Sequence, residues 1–533
     1  MAANGNFYLT TAIPYVNAEP HLGHALELVQ ADVLARHRRL RGQPVRFLTG
    51  TDDHALKNVT AAAAAGVGVR EFVDRNAARF RGLRGPLALS FDDFIRTSAD
   101  PRHRAGVERL WRQCADRGDL YLRHYEGRYC PGCEQFYASA ELDHGRCPEH
   151  RLAPELVREK NWFFRLSRYT GGILAALHSG RVRVEPATRR NEVLAFIRAG
   201  LTDFSVSRPA ARASGWGIPV PDDPDQVIYV WWDALANYIT ALGYGGGDER
   251  PYRDWWVDSG ERVHVIGKGI TRFHAVYWLA LLLSARQPLP SAIYAHGYLS
   301  VDGAKLSKSA GPAVSPYELA RRFGTDPVRW WLLREVARSG DTDFTVERLV
   351  RRANSDLANG LGNLQHRALT LVRKYRQGQI AGAGGASPPR TELAGAGHAL
   401  PHLIDGALAR FDFRAATGAI WSVVQAGNRL IETERPWELA RREQQGDHPA
   451  AGRLDEVLGV LAGACRVLAA ELEPFLPAGS AALSRQLRAD DGVIAPPAPV
   501  FARLGPRPDP VEEGQPRRVA ARTRRPPAGR PDP

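Results

Sequence analysis

The chain has 533 residues, with 71 Lys+Arg against 58 Asp+Glu, a formal charge of +13 and a pI near 9.7. At about 150 residues per domain that length predicts three or four units with cores of their own. Its 44% apolar content excludes a mostly disordered chain, and the basic excess points to a polyanionic partner. No stretch of about 18 apolar residues occurs, and no basic segment leads into an apolar one near the N-terminus, which argues against a membrane span or secretory signal and predicts a cytoplasmic protein. Only six residues are Lys, at positions 57, 160, 268, 305, 308 and 374, and the other 65 basic residues are Arg, so each Lys that persists raises a question of use.

The first 50 residues read as strand, helix, strand. Phe7 to Ala12 is a short β-rich run; Ala25, Leu28, Val29 and Val33 recur at helical spacing; Arg36, Arg38 and Arg39 followed by Gly42 suit a helix end; Val45 to Thr51 returns to strand composition. This βαβ unit predicts a parallel sheet. A second pair of sheet-like runs, Val227 to Trp231 and Val263 to Ile266, lies beyond a segment rich in cysteine, glycine and proline turns. The layout predicts a split, doubly wound, Rossmann-like α/β domain in two halves, residues 1–115 and 226–344, interrupted by an insertion over 116–225. From 345 the 4-3-4-3 spacing of Leu357, Leu361, Leu364, Ala368 and Leu371 and the patterns that follow predict an all-α bundle to residue 487. Residues 488–533, rich in Pro and Arg, read as a disordered basic tail.

Three constellations carry chemistry. His21-Leu-Gly23-His24 stands where a strand gives way to a helix; backbone N–H groups at a helix start attract phosphate, Gly23 lets a ligand approach, and two imidazoles three apart can face it. Lys305-Leu-Ser307-Lys308-Ser-Ala-Gly follows an Asp302-Gly303 hairpin turn, a loop of mobile ammonium groups and hydroxyls suited to a polyphosphate. Cys130-Pro-Gly-Cys133, thirteen residues, then Cys147-Pro-Glu-His150 offers three thiolates and one imidazole, a closed tetrahedral set for one structural Zn²⁺. Lone Cys114 and Cys465 read as buried small hydrophobes.

The first two pieces, about 280 residues apart on a split sheet, resemble the HIGH and KMSKS signatures of class I aminoacyl-tRNA synthetases. Within that class the chain resembles the methionyl-tRNA synthetase family to about residue 480, through TTAIPYVNAEPHLGH, FLTGTDDH, NWFFRLS, YVWWDAL, VIGKGITRFHAVYW and LANGLGNLQHR. The resemblance implies ATP-dependent activation of L-methionine and its transfer to tRNA(Met). It makes His21, His24, Lys305 and Lys308 catalytic, and gives ATP to His21, Gly23, His24, Lys305, Ser307 and Lys308, with Mg²⁺ accompanying it. Asp52 would bind the substrate ammonium, and Ile13, Tyr15, Trp231, Leu235, Tyr238, Ile270, Phe273 and His274 would line the side-chain pocket. Asn363, Arg367 and Trp437 would read the anticodon, an aromatic stacking on an unstacked base while Asn and Arg reach its edge. The insertion would be the family's connective domain with its zinc knuckle, the bundle its anticodon-binding domain, and the chain a monomer. KLSKS stands for the usual KMSKS, Asp53-His54-Ala55 for the common Glu-His-Gly, and Gly269 for a common Asp. Two other readings remain open at this stage: a synthetase-like paralogue using another amino acid or acceptor, and a catalytically silent RNA-binding relative.

Overall fold

The structure, a computed structural model, describes residues 4–130, 135–137, 141–148, 151–301, 304–305, 314–379, 391–490 and 493–505. A six-stranded sheet organises the first 300 residues: β1 (Asn4–Thr11), β2 (Val45–Thr51), β3 (Asp93–Arg96), β4 (Arg183–Glu185), β5 (Ser259–Gly267) and β6 (Ala292–His296). Their spatial order is β3-β2-β1-β5-β6-β4, and every neighbouring pair is parallel. The strand order reverses between β1 and β5, and ligands of open α/β sheets sit at such a switch point, outside the carboxyl ends of the strands.

The predicted helix after β1 runs over Leu22–Leu40, buries Ala25, Leu28, Val29 and Val33, and ends on His37, Arg38 and Arg39, with Gly42 at φ +77° just beyond. Two large apolar clusters lie on the faces of the sheet. One holds Leu22, Leu26 and Val29 and continues without a break through Trp330 and Trp331 into the bundle. The other holds Ile13, Trp111, Trp232 and Trp278. Fully buried Arg329 ties the two halves of the molecule: it pairs with Asp32 at 2.8 Å and donates to the carbonyls of Leu87, Pro474 and Phe475. A buried charge persists where each of its donors has such a partner.

Three expectations change. Val227 to Trp231 is not a strand of the main sheet: Asp223–Ile228 belongs to a small antiparallel sheet with Ser207–Pro209, and Val230 already opens the helix Val230–Thr240. The interval 116–225 is not wholly an insertion, because β4 inside it forms the sheet edge beside β6. The tail begins later than residue 488: Ile494 is buried with the bundle core, Val500, Phe501 and Leu504 pack on it, and Asn354 exchanges hydrogen bonds of 2.7 Å with Leu504. These few apolar side chains are diluted in a Pro- and Arg-rich average, yet they suffice to dock the segment. Residues 506–533 lie outside the described residues.

The bundle comprises helices Asn363–Arg376, Glu392–Leu408, Phe413–Glu434, Pro436–Gln444, His448–Glu471 and Pro477–Leu487. Ahead of it Ala353–Gly362 is wound as a π-helix, and a Cβ on Gly360 would lie 2.4 Å from the Trp421 ring. Among the described residues no helix is long and apolar enough to cross a membrane.

Candidate active site

At the switch point the chain leaves β1 through Ala12-Ile13-Pro14-Tyr15. The Pro14 carbonyl accepts from Asp52 N–H at 3.0 Å and Tyr15 forms a parallel bridge to Asp52, so the carboxyl ends of β1 and β2 are laced together. Asp52 is buried; its Oδ1 accepts from His54 N–H at 3.2 Å and its carbonyl from Asn58 Nδ2 at 3.0 Å. A carboxylate held at a strand end beside the Tyr15 ring suits an ammonium group.

Helix Leu22–Leu40 follows the Tyr15 segment in the chain. His21 Nδ1 accepts from Gly23 N–H and His24 Nδ1 accepts from His21 N–H, both at 3.1 Å, a reciprocal capping box built from two histidines. A backbone N–H can only donate, so each neutral ring carries its proton on Nε2, and each Nε2–H is a donor suited to an anion at the helix start. The rings stack with centroids 3.8 Å apart. A Cβ on residue 23 would lie 2.9 Å from His21 Cε1, so any larger residue there would have to push the His21 ring aside, a reason for glycine that the sequence does not display.

The second signature closes on the first. Leu22 N–H donates to the Val314 carbonyl at 3.0 Å, which joins the chain leaving the lysine loop to the helix that carries His21 and His24. Leu299–Val301 pairs antiparallel with Ala304–Lys305 across a two-residue connection, as the hairpin expectation required. The backbone of Lys305 is placed by that pairing; Ser307 and Lys308 lie outside the described residues.

The residues expected to line an apolar pocket lie close to one another. Trp231 and Phe273 stack at 3.7 Å and 8°, Tyr15 meets Trp231 edge-on at 6.3 Å, and Ile13, Leu235, Tyr238 and Ile270 share one cluster with Trp231. Phe273 and His274 occupy a π-helical turn, Phe273–Trp278, where the sequence reads as ordinary helix; such turns recur at functional sites. His274 Nδ1–H donates to the Ile270 carbonyl at 2.9 Å and Nε2 accepts from Tyr238 Oη at 2.7 Å. Burial pushes His274 down to about 4 and holds His264, behind Tyr238, well below the usual imidazole range. Both are neutral at pH 7. Neutral polar edges among stacked rings fit an uncharged, polarisable side chain.

Two residues at the site escaped the sequence reading. Glu27, three residues beyond His24 on the same helix, lies 3.1 Å from His296 Nε2 and faces the backbone of Ala12 and Gly267 across the switch point; burial raises its carboxyl. Lys57 holds its ammonium 5.6 Å from the Tyr15 ring centroid. The rarity of lysine was the available signal for Lys57, and His21-x₂-His24-x₂-Glu27 spacing the signal for Glu27. Lys268, in the same short turn as Ile270, is paired with Asp341 at 2.7 Å.

Away from this centre, Cys130 and Cys147 lie in one small buried cluster with Tyr137 and Leu142, whereas Cys133 and His150 lie outside the described residues. Among the described residues no group of three or more His, Cys, Asp or Glu side chains is placed to hold a metal ion. Cys114 and Cys465 are buried, as expected. On the bundle Asn363 is exposed, Arg367 lies 3.9 Å from Glu432, and Trp437, three-eighths exposed at the start of helix Pro436–Gln444, is not a core residue.

A family model described as tRNA synthetases class I (M) matches residues 7–155 and 140–369. A methionine–tRNA ligase of Mycobacterium bovis is 42% identical over 482 residues, covering 88% of this chain and 90% of its own. That of Mycobacterium leprae is 38% identical over 544 residues, covering 96% and 98%. The chain belongs to the methionyl-tRNA synthetases of class I. Mycobacterium tuberculosis methionyl-tRNA synthetase in complex with methionyl-adenylate superposes with a TM-score of 0.87 at 38% identity, over 94% of this chain and all of that one. The free-state enzyme of the same organism gives 0.82 at 36% identity.

Membership makes the departures legible. The Asp53 carboxylate is locked by Thr51 Oγ1 at 2.9 Å, Ser98 Oγ at 2.7 Å and Arg96 at 2.8 Å, so this family member uses it to pin the ends of β2 and β3 together. At Gly269 a Cβ would fall 1.9 Å from Tyr298 Oη, so the phenol fills the space a side chain would need.

Proposed function

We propose that this chain activates L-methionine with ATP and transfers the methionyl group to the 3′ end of tRNA(Met). The observation that supports the reading is the arrangement at the switch point: the histidine-capped helix start, bonded through Leu22 N–H to the Val314 carbonyl beyond the lysine loop, stands with buried Asp52, bridged to Tyr15, and with the neutral aromatic residues that Tyr15 meets through Trp231. A methionine carboxylate oxygen forms a bond to the α-phosphorus while the bond to the β-phosphate oxygen breaks and pyrophosphate departs. A ribose hydroxyl of the tRNA end then attacks the adenylate carbonyl and AMP leaves.

Asp52 holds the ammonium, and Ile13, Tyr15, Trp231, Leu235, Tyr238, Ile270, Phe273 and His274 enclose the thioether. The Nε2–H groups of His21 and His24 donate to phosphate oxygens as charge builds there, which is positioning and electrostatic catalysis with no covalent enzyme intermediate. Lys305, Ser307 and Lys308 belong to the β- and γ-phosphates. Mg²⁺ bound with ATP would neutralise phosphate charge. The donor set Cys130, Cys133, Cys147 and His150 suits a structural Zn²⁺, a fit supported by the shared buried cluster of Cys130 and Cys147. Asn363, Arg367 and Trp437 would take the unstacked anticodon bases, in a monomeric, cytoplasmic enzyme. Pyrophosphate exchange measured with each amino acid, followed by tRNA charging, tests this: exchange with methionine alone and charging of tRNA(Met) are expected. Exchange with another amino acid, or none with any, overturns it.

A further inference from the structure

Behind the Asp52 turn runs a buried polar chain that the roles above leave unused. Asp233, in the first turn of helix Val230–Thr240, is 1% exposed and sits between two imidazoles. His54 Nδ1 lies 2.6 Å from its Oδ2, and His103 Nε2, on helix Pro101–Asp116, is hydrogen-bonded to its Oδ1. His103 is itself fully buried, with Nδ1 2.8 Å from Thr240 Oγ1. Burial alone would raise the Asp233 carboxyl, but the charges and hydrogen bonds of the two rings outweigh it and hold the group below the usual carboxylate range. An ionised Asp233 accepts from both rings, which makes His54 Nδ1–H the donor and fixes its plane.

The clamped ring belongs to the residue whose backbone N–H reaches Asp52 Oδ1 at 3.2 Å. Trp216 braces it from the other side, edge-on to the ring at 5.7 Å and with its indole N–H on the Asp53 carbonyl at 2.8 Å. Three elements distant in sequence thus converge on one turn, and they do so through a buried ionised group. Apolar packing of equal volume would stabilise the fold as well or better, so the polar chain calls for a role in orientation.

We propose that His54 is a positioning residue for the substrate ammonium. Asp233, braced by His103 and Thr240, fixes the His54 ring; the fixed ring aims the His54 N–H at Asp52 Oδ1; the Asp52 carboxylate then meets the ammonium in a single orientation. This rests on the assignment of Asp52 as the ammonium ligand.

The test compares the binding of two ligands by isothermal titration: L-methionine, and 4-(methylthio)butanoate, the same skeleton without the ammonium. His54→Ala should weaken methionine about tenfold, the scale of one lost hydrogen bond to a charged group, and leave the butanoate unchanged. Asp233→Asn should do the same. His54→Asn, whose Nδ2–H takes the place of Nδ1–H, should return methionine to within about twofold of the natural protein. Equal weakening of both ligands in folded His54→Ala, or no weakening of methionine, overturns the proposal. If His54→Ala fails to fold, Asp233→Asn decides by the same two ligands. A natural protein that binds the two ligands equally would instead overturn the assignment of Asp52.

Discussion

Two pairs of histidines divide the chemistry of this site between them. His21 and His24 are half-buried at a helix start, and backbone N–H groups occupy their Nδ1 atoms. His264 and His274 are wholly buried, and side chains and a carbonyl occupy their ring nitrogens: Thr10 and Trp278 for His264, Ile270 and Tyr238 for His274. The first environment presents donors that, in the proposed reaction, would face developing negative charge; the second suppresses charge and presents neutral ring edges. In the proposed reaction the same side chain would serve as a phosphate group's partner or a thioether's neighbour according to desolvation and to which nitrogen the fold consumes.

The harshest way to break the contrast is at the helix start. His24→Asn keeps an acceptor for the His21 N–H and removes the Nε2–H donor, so capping survives while the donor edge is lost. Pyrophosphate exchange should show kcat reduced by about 10²-fold or more, the scale of one preorganised donor to a developing oxyanion, with the KM for methionine little changed. A variant in which KM for methionine rises and kcat holds would place His24 in the wrong half of the comparison.

The buried pair answers to acid. The His274 pKa is about 4 in the folded protein against an ordinary value of 6.5, so the unfolded chain binds the extra proton first as pH falls. Stability is fully present above about 6.5 and is lost between there and about 4, by up to about 3 kcal/mol from this group. His264 acts in the same direction. The thermal midpoint should therefore fall over that window, and His274→Asn should flatten the fall while raising the KM for methionine several-fold, as a neutral but smaller wall leaves a gap beside Tyr238. An unchanged slope in the variant would mean that other groups govern acid sensitivity.

The motif residues were legible because their chemistry is local. His21-Leu-Gly-His24 and the Lys305 hairpin declare themselves through turn residues and spacing, and Val45 to Thr51 emerged as a strand with its bounds intact. What stayed hidden depends on distant partners. β4 has three residues, too few for periodicity, and is a strand only because β6 offers an edge. The Phe273–Trp278 turn has a helical composition, and its π winding registers only in the hydrogen bonds. Glu27 looks like one more polar residue on an amphipathic helix until His296 arrives from the end of β6. Val500 to Leu504 sits among prolines and arginines, and its docking follows from packing against the bundle core, a partner distant in sequence.

The mildest intervention sharpens the comparison most. Glycine at 23 has two explanations: room for the nucleotide, as the sequence implies, or room for the His21 ring, as the 2.9 and 3.0 Å approaches of a Cβ to His21 Cε1 and Nδ1 imply. Those atoms belong to a side chain able to tilt by a few tenths of an ångström, and tilting lengthens the 3.1 Å Gly23 N–H bond to His21 Nδ1 without removing it. Gly23→Ala should therefore lower kcat for exchange only about three- to tenfold, the scale of a strained neutral hydrogen bond, with no change in KM for methionine. The KM for ATP separates the two explanations. A His21 ring displaced by the added methyl group lowers kcat with KM for ATP nearly constant, whereas a nucleotide that packs directly on residue 23 would lose affinity as that methyl group enters its space. A loss in KM for ATP as large as the His24→Asn loss in kcat would return the glycine to the ligand and leave the His21 ring as a bystander.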